Sequence, residues 1–152
     1  MTAKEYILAA TDAQGKTLFT RARLVPADKL DWRPLDHGRS VFDIAQECAL
    51  CPAWCVDVLK NQAYIPSDDE AAYEQQKAAL TDLDACEAAF AENAAALKTV
   101  IEEFPEADMH KSIVTPWGTF TCYQLMAVAL WNCSYHEGQI NYIQTLYGDR
   151  SM

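Results

Sequence analysis

Asn132, His136 and Gln139 stand at i, i+4 and i+7, a spacing that sets all three on one face of a helix. An imidazole flanked by two amides can ligate a metal, hold a proton or close a hydrogen-bond network. Leu125, Val128, Ile143 and Leu146 share that face. The three polar groups therefore need partners, at a cost on the order of 1–3 kcal/mol for each one left unpaired. Glu47 lies in a second apolar segment, flanked by Ile44, Cys48 and Cys51, and is placed to point inward as well. A carboxylate on one helix facing an imidazole on another is either a buried ion pair or two ligands of one metal.

Other reactive residue types form weaker patterns. Cys48-Ala49-Leu50-Cys51 has the C-x-x-C spacing. A redox motif of that kind belongs at a helix N-terminus near a βαβ unit, where the thiolate is stabilised, and this one falls in mid-helix. With Cys55 it makes an apolar stripe. Cys86, Cys122 and Cys133 are isolated, which disfavours a structural zinc site. His37 and His110 fall in linkers and read as solvated. Trp32 and Trp117 also fall in linkers, where large aromatics pin a loop to a core. Trp54 and Trp131 fall in helices and are expected in the core. Gly138 in mid-helix predicts close approach of another helix, as across a dimer. No P-loop, G-x-S-x-G or H-E-x-x-H occurs.

The elements that must position these groups are helical. Ile7, Thr11, Gln14 and Leu18, supported by Tyr6, Ala10 and Phe19, predict a first helix from about Ala3 to Arg23, with Gly15 as its weak point. A linker with Pro26, Pro34 and Gly38 follows. Ser40-Val41-Phe42-Asp43 reads as a variant capping box opening a second helix to about Asn61, with a kink expected at Pro52. The acidic group Ser67-Asp68-Asp69-Glu70 suits the start of a third helix. Leu83, Cys86, Phe90, Ala94, Leu97, Ile101 and Phe104 carry that helix, predicted as one segment from about Asp69 to Glu103. A second irregular stretch ends in Thr115-Pro116-Trp117-Gly118. Thr121 and Gln124 form a capping box for a fourth helix that stops at Gly148. Strand signals are weak. Four helices with one apolar stripe each close as a four-helix bundle, and the two long linkers imply irregular crossings.

Two stretches resemble a known family. Pro26-Ala27-Asp28-Lys29-Leu30-Asp31-Trp32-Arg33-Pro34, followed by Arg39-Ser40-Val41, resembles the loop and second-helix start of DinB-like proteins, the YfiT-like bundle superfamily. Tyr135-His136-Glu137-Gly138-Gln139-Ile140-Asn141-Tyr142-Ile143 resembles that family's fourth-helix signature, H-x-x-x-H-x-G-Q-I. The resemblance covers most of the chain in order and spacing. It implies an all-α four-helix bundle forming one domain over residues 1–152, often a homodimer. It also implies a divalent metal, commonly nickel or zinc, held by one histidine on the second helix and two on the fourth. Carried over one position at a time, the second-helix histidine falls on Glu47 and the first of the fourth-helix pair on Asn132. The second falls on His136, the one histidine kept. Glu, Asn and His form a harder and weaker set than three imidazoles. Such a set suits a loosely held, oxygen-preferring metal such as manganese. It equally suits a lost metal, with Glu47 and His136 paired and Asn132 completing the network.

Relatives include metal-dependent transferases that use low-molecular-weight thiols, and hydrolases. The resemblance thus implies either a metal-dependent transferase or hydrolase acting on a small molecule, or a non-catalytic stress-related binding module. In the first case a metal would lower the pKa of a bound thiol or water. No residue is assigned as catalytic from the sequence.

Composition narrows the partners. The 152 residues are 51% apolar and 22% charged, as in a globular chain with a core. A net charge of −10 with scattered Lys and Arg disfavours nucleic acid and anionic membrane surfaces. No signal peptide or membrane span is read, so a cytoplasmic protein with reduced thiols is expected.

Overall fold

The computed structural model describes residues 1–35, 37–66 and 70–150. Helix α1 (Ala3–Leu24) starts at Thr2, whose side chain accepts from the Glu5 amide while the Glu5 carboxylate accepts from the Thr2 amide. These bonds satisfy amides that have no partner within the helix. The expected stripe is buried at Ile7, Thr11, Leu18 and Phe19, but Tyr6 points to solvent. Helix α2 (Val41–Asn61) opens at Ser40, whose hydroxyl accepts from the Asp43 amide. Asp43 does not complete the box. Its carboxylate is taken by Arg39 and Lys77. Helix α2 runs through Pro52 and ends at Gln62 in a left-handed conformation (φ 48°). One turn before the proline, Asn93 donates to the Ala49 carbonyl at 2.9 Å.

The predicted third helix is two helices, α3 (Glu70–Ala79) and α4 (Leu83–Glu103). Asp82 makes the break: its side chain accepts from the Ala85 amide at 2.8 Å, a capping bond that starts a new helix. Ser67, Asp68 and Asp69, expected to head the third helix, lie outside the described residues. Within α4 the stripe Cys86, Phe90, Ala94, Leu97 and Ile101 is buried as its spacing requires, and Phe104 is buried at the cap. Leu97 and Ile101 are almost wholly buried, each contributing about 1.5–3 kcal/mol of hydrophobic stabilisation.

The second linker contains a hairpin. Strand β1 (Ser112–Thr115) pairs antiparallel with β2 (Gly118–Thr121) around Pro116 and Trp117. Ile113 enters the core while Val114 faces out. Thr121 and Gln124 form the expected capping box on α5 (Cys122–Met126). The predicted fourth helix is interrupted at Ala127, and α6 (Val128–Leu146) follows. Gly148 sits just past its end at φ +92°, a conformation that suits glycine, and closes the terminus by donating to the Thr145 carbonyl.

The four long helices α1, α2, α4 and α6 form the bundle. Helix α1 packs chiefly on α4 and α6, and α2 packs on the same two. Successive helices α1 and α2 are therefore diagonal, as are α4 and α6, and the two long linkers make the diagonal crossings. One apolar cluster centres on Leu18, Phe19, Ile44, Phe90 and Ile140, and a second on Ile7, Leu59, Leu97, Ile101 and Leu125. No described helix is long and apolar enough to cross a membrane.

Gly15 is where α1 and α4 come closest. A Cβ there would lie 2.1 Å from Cε1 of Phe90. Alanine gains about 1 kcal/mol of helix propensity over glycine, but displacing a packed ring typically costs about 1–3 kcal/mol. We predict that Gly15→Ala is destabilising, measured as a lower urea midpoint at unchanged slope. A variant more stable than the parent would show that Phe90 moves aside without cost.

Candidate functional site

The site lies where α2 faces α6, beside Ile44, Cys48, Cys133 and Ile140 of the first apolar cluster. Glu47 Oε1 accepts from Asn132 Nδ2 at 3.0 Å and lies 2.9 Å from His136 Nε2. Its other oxygen, Oε2, is bonded by the guanidinium of Arg39. Helix α6 holds His136 at 4% exposure and Asn132 at 8%, so both are inside the bundle. The three residues singled out by spacing and resemblance therefore meet around one carboxylate oxygen. Gln139 joins them, with Oε1 2.6 Å from His136 Nδ1, and its amide nitrogen donates to the Tyr135 hydroxyl at 3.2 Å.

Arg39 extends the network outward. Its Nε donates to Asp43 Oδ2 at 2.6 Å, and Asp43 Oδ1 receives Lys77 from α3. Gln46 donates to the carbonyls of Lys77 and Leu80 at 2.9 and 3.0 Å, which fastens α3 to α2.

The charges follow from these contacts. Glu47 is held down at about 2, chiefly by its bond to His136, with Asn132 and the Arg39 charge adding to it against the opposing effect of burial. Burial works to raise the Asp43 carboxyl, but Lys77 and Arg39 outweigh it and hold the group below its usual value. Tyr73 is pushed up to about 12 by burial and by the nearby Glu47 charge. As placed, both nitrogens of the His136 ring face oxygen atoms, which satisfies an imidazolium. Rotating the Gln139 amide by half a turn instead satisfies the neutral ring. Asn132 Nδ2 is committed to the carboxylate, which leaves Asn132 Oδ1 buried without a hydrogen-bond partner.

Spacing alone did not point to Arg39. Its signal is the run Arg39, Asp43, Glu47, with acids at i+4 and i+8 on the face that opens α2. Tyr135 was also missed as a member: it meets the His136 ring edge-on at 5.1 Å and stacks on Trp131 at 5.5 Å. The cysteines stay outside this chemistry. All six are free. The Cys48 thiol is pushed up by its bond to Cys133 and by burial, and Cys51 by Cys55 and by burial, so neither is a ready thiolate.

One expectation fails on α6: Trp131, assigned to the core, is 63% exposed. Gly138 has no group of this chain within 4 Å of its Cβ position. Trp32 does pin its loop, meeting Tyr147 edge-on at 5.8 Å. Trp117 is largely exposed and touches Trp54 and Tyr64 by ring edges. His37 and His110 are exposed, as expected.

No family model matches the sequence, and no curated protein does. Solved structures do match. YfiT from Bacillus subtilis, a probable metal-dependent hydrolase with an unusual four-helix bundle topology, superposes with a TM-score of 0.77 at 15% identity, covering 95% of this chain and 87% of that one. YjoA, a DinB-like protein from Bacillus subtilis, gives a TM-score of 0.66 at 15% identity over 95% of this chain and 94% of its own. The mycothiol-dependent maleylpyruvate isomerase gives 0.69 at 13% identity over 92% of this chain, which spans 61% of the isomerase. At these identities the likeness establishes the fold. This chain has the four-helix-bundle fold seen in YfiT, with a small hairpin in its second crossing.

The donor set does not fit a zinc or nickel centre. Among the described residues no group of three or more His, Cys, Asp and Glu side chains is gathered to hold a metal ion. One carboxylate, one imidazole and one amide remain, and the carboxylate already carries a guanidinium on its second oxygen. A fixed cation there repels a divalent ion at the first oxygen and lowers the basicity that a ligand needs.

Because Glu47 has a lower pKa folded than unfolded, its contribution is fully present above about pH 4.5 and is lost as pH falls through about 2. A shift of that size corresponds to at most about 3 kcal/mol. We predict that the stability gap between the parent and Glu47→Gln is constant from pH 7 to 5 and closes between pH 4.5 and 2, in urea unfolding at each pH. A gap unchanged down to pH 2.5 would show that Glu47 gains nothing from its charge.

Proposed function

We propose that this chain is a DinB-like small-molecule-binding module whose inter-helix site is closed by a guanidinium–carboxylate–imidazole network in place of a divalent metal. The observation that carries this reading is the contact of Arg39 with Glu47 Oε2, opposite the His136 and Asn132 contacts on Oε1. Both nitrogens of His136 are already engaged, so the ring presents no free lone pair to an incoming substrate. The network therefore holds α2 against α6 and shapes a site, with no base aimed at a ligand. The open group is Asn132 Oδ1, a buried acceptor suited to a hydroxyl, amine or thiol donor on a small polar molecule.

The metal-dependent transferase or hydrolase reading is favoured by that same atom. Turning the Asn132 amide would bring an oxygen toward Glu47 Oε1 and His136 Nε2. The fold shared with YfiT and with the mycothiol-dependent isomerase supports that reading too.

Elemental analysis of untagged protein purified without chelators separates the two. The expected result is no stoichiometric metal in the parent or in His136→Ala, and no change in melting temperature on adding nickel, zinc or manganese. About one metal per parent chain, absent from His136→Ala, would overturn the metal-free reading and make activity assays with thiol and hydrolysable substrates the next step.

A further inference from the structure

Aromatic rings from three elements meet at the tip of the hairpin. Trp117 lies 5.8 Å from Trp54 and 6.1 Å from Tyr64 between ring centroids, at interplanar angles of 78° and 73°. Trp54 comes from α2, and Tyr64 from the chain just past its end, where Gln62 turns it in a left-handed conformation. Both rings pack against the second apolar cluster, which anchors them. Trp117 lies outside that cluster and is 70% exposed. Its backbone is nonetheless fixed: Thr115 Oγ1 accepts from the Trp117 amide at 3.3 Å and donates to the Gly118 carbonyl at 3.0 Å. Gly118 closes this turn at φ +133°, a conformation open to glycine. The fold thus holds a large aromatic residue in place while leaving most of it in water, which is the mark of a binding surface rather than of a core.

We propose that Trp54, Tyr64 and Trp117 form an aromatic cage for a quaternary ammonium group carried by a small free molecule, of which choline is the simplest. The face of an aromatic ring is negative, and a cation within about 6 Å of its centroid is attracted to it. Rings set nearly perpendicular to a shared neighbour make corners where one cation reaches more than one of them, whereas stacked rings offer it a single face. A methylated ammonium suits such a site because it brings no N–H donors that the rings would leave unpaired. The surrounding charge agrees. Residues 112–121, the whole hairpin, contain no Lys, Arg, Asp or Glu. Lys111, just before β1, is already engaged by Asp108 at 2.9 Å and by Gln62 at 3.0 Å. Asp57 follows Trp54 by three residues, which makes the two neighbours on the surface of α2, and it forms no ion pair among the described residues. A net charge of −10 also favours a cation at this surface. Membrane-surface segments add basic residues around their apolar anchors, and the hairpin has none, which favours a free molecule over a lipid head group.

Isothermal titration calorimetry of the full chain with choline tests the cage. The expected result is saturable binding at millimolar concentration or below. The neutral analogue with carbon in place of the quaternary nitrogen should bind at least about fivefold more weakly, because it keeps the shape and loses the cation–π attraction. Trp117→Ala should weaken choline binding at least about tenfold, as loss of an anchor residue does. Trp117→Phe should weaken it less, since a smaller ring face remains. Tyr64→Ala should weaken it from a second side. Tyr142→Ala, which removes an exposed aromatic of α6, should leave it unchanged. Because Trp117 is largely exposed, its variants should unfold near the parent's urea midpoint. A parent without saturable choline binding, or one that takes the neutral analogue equally well, would overturn the inference. Choline binding lost in Asn132→Ala and kept in Trp117→Ala would move the ligand to the inter-helix site and overturn it too. Sedimentation with phosphatidylcholine vesicles in a protein that ignores free choline would overturn the assignment to a small molecule.

Discussion

A carboxylate between two packed helices costs several kcal/mol unless its charge is answered, and the arrangement around Glu47 is set by that requirement. His136 and Asn132 meet one oxygen, and Arg39 meets the other. Since these partners come from α6 and from the residue just before the α2 cap, satisfying one side chain fixes the spacing of α2 and α6 and anchors the end of the first crossing. Asp43 repeats the device one turn earlier, drawing Arg39 and Lys77 together and so holding α3 over the start of α2. The bundle's apolar clusters supply cohesion without direction. The polar chain from Lys77 to Tyr135 supplies register.

The same electrostatics bears on the metal. A divalent ion bound to Glu47 would have to compete with a guanidinium already on the carboxylate, and would recruit an amide where a third imidazole suits zinc or nickel. Arg39 keeps its charge at any accessible pH, and Asp43 and Glu47 outweigh the effect of burial on it. The network is therefore self-contained in charge, with a cation, a carboxylate and an imidazole in contact. What it leaves open is a neutral acceptor, Asn132 Oδ1, which calls for a hydrogen-bond donor rather than a counter-ion.

Much of this was legible in the sequence because it rests on local rules. Stripes at 3–4 spacing located α1 and α4, and capping residues located the starts of α2 and α5. Helical spacing, together with the DinB-like resemblance, gathered Glu47, Asn132 and His136. The misses share a physical cause. Asp82 looks like a polar mid-helix residue until its oxygen takes the Ala85 amide. The hairpin has four residues in each strand, too few for a period-two pattern to show. Arg39 sits before the α2 cap, so its i+4 and i+8 spacing to Asp43 and Glu47 falls outside the helix that the cap defines. Trp131 was misplaced because polar and apolar side chains are mixed around α6, and periodicity names faces without saying which one turns inward.

Helix α6 thereby serves two faces at once. Its inner face carries Asn132 and His136 into the site, and its outer face carries the exposed aromatics Trp131, Tyr135 and Tyr142. Tyr135 belongs to both: its ring stacks on Trp131 and meets His136 edge-on, while its hydroxyl accepts from the Gln139 that also contacts His136. The orientation of the Gln139 amide decides whether His136 Nδ1 meets an acceptor or a donor.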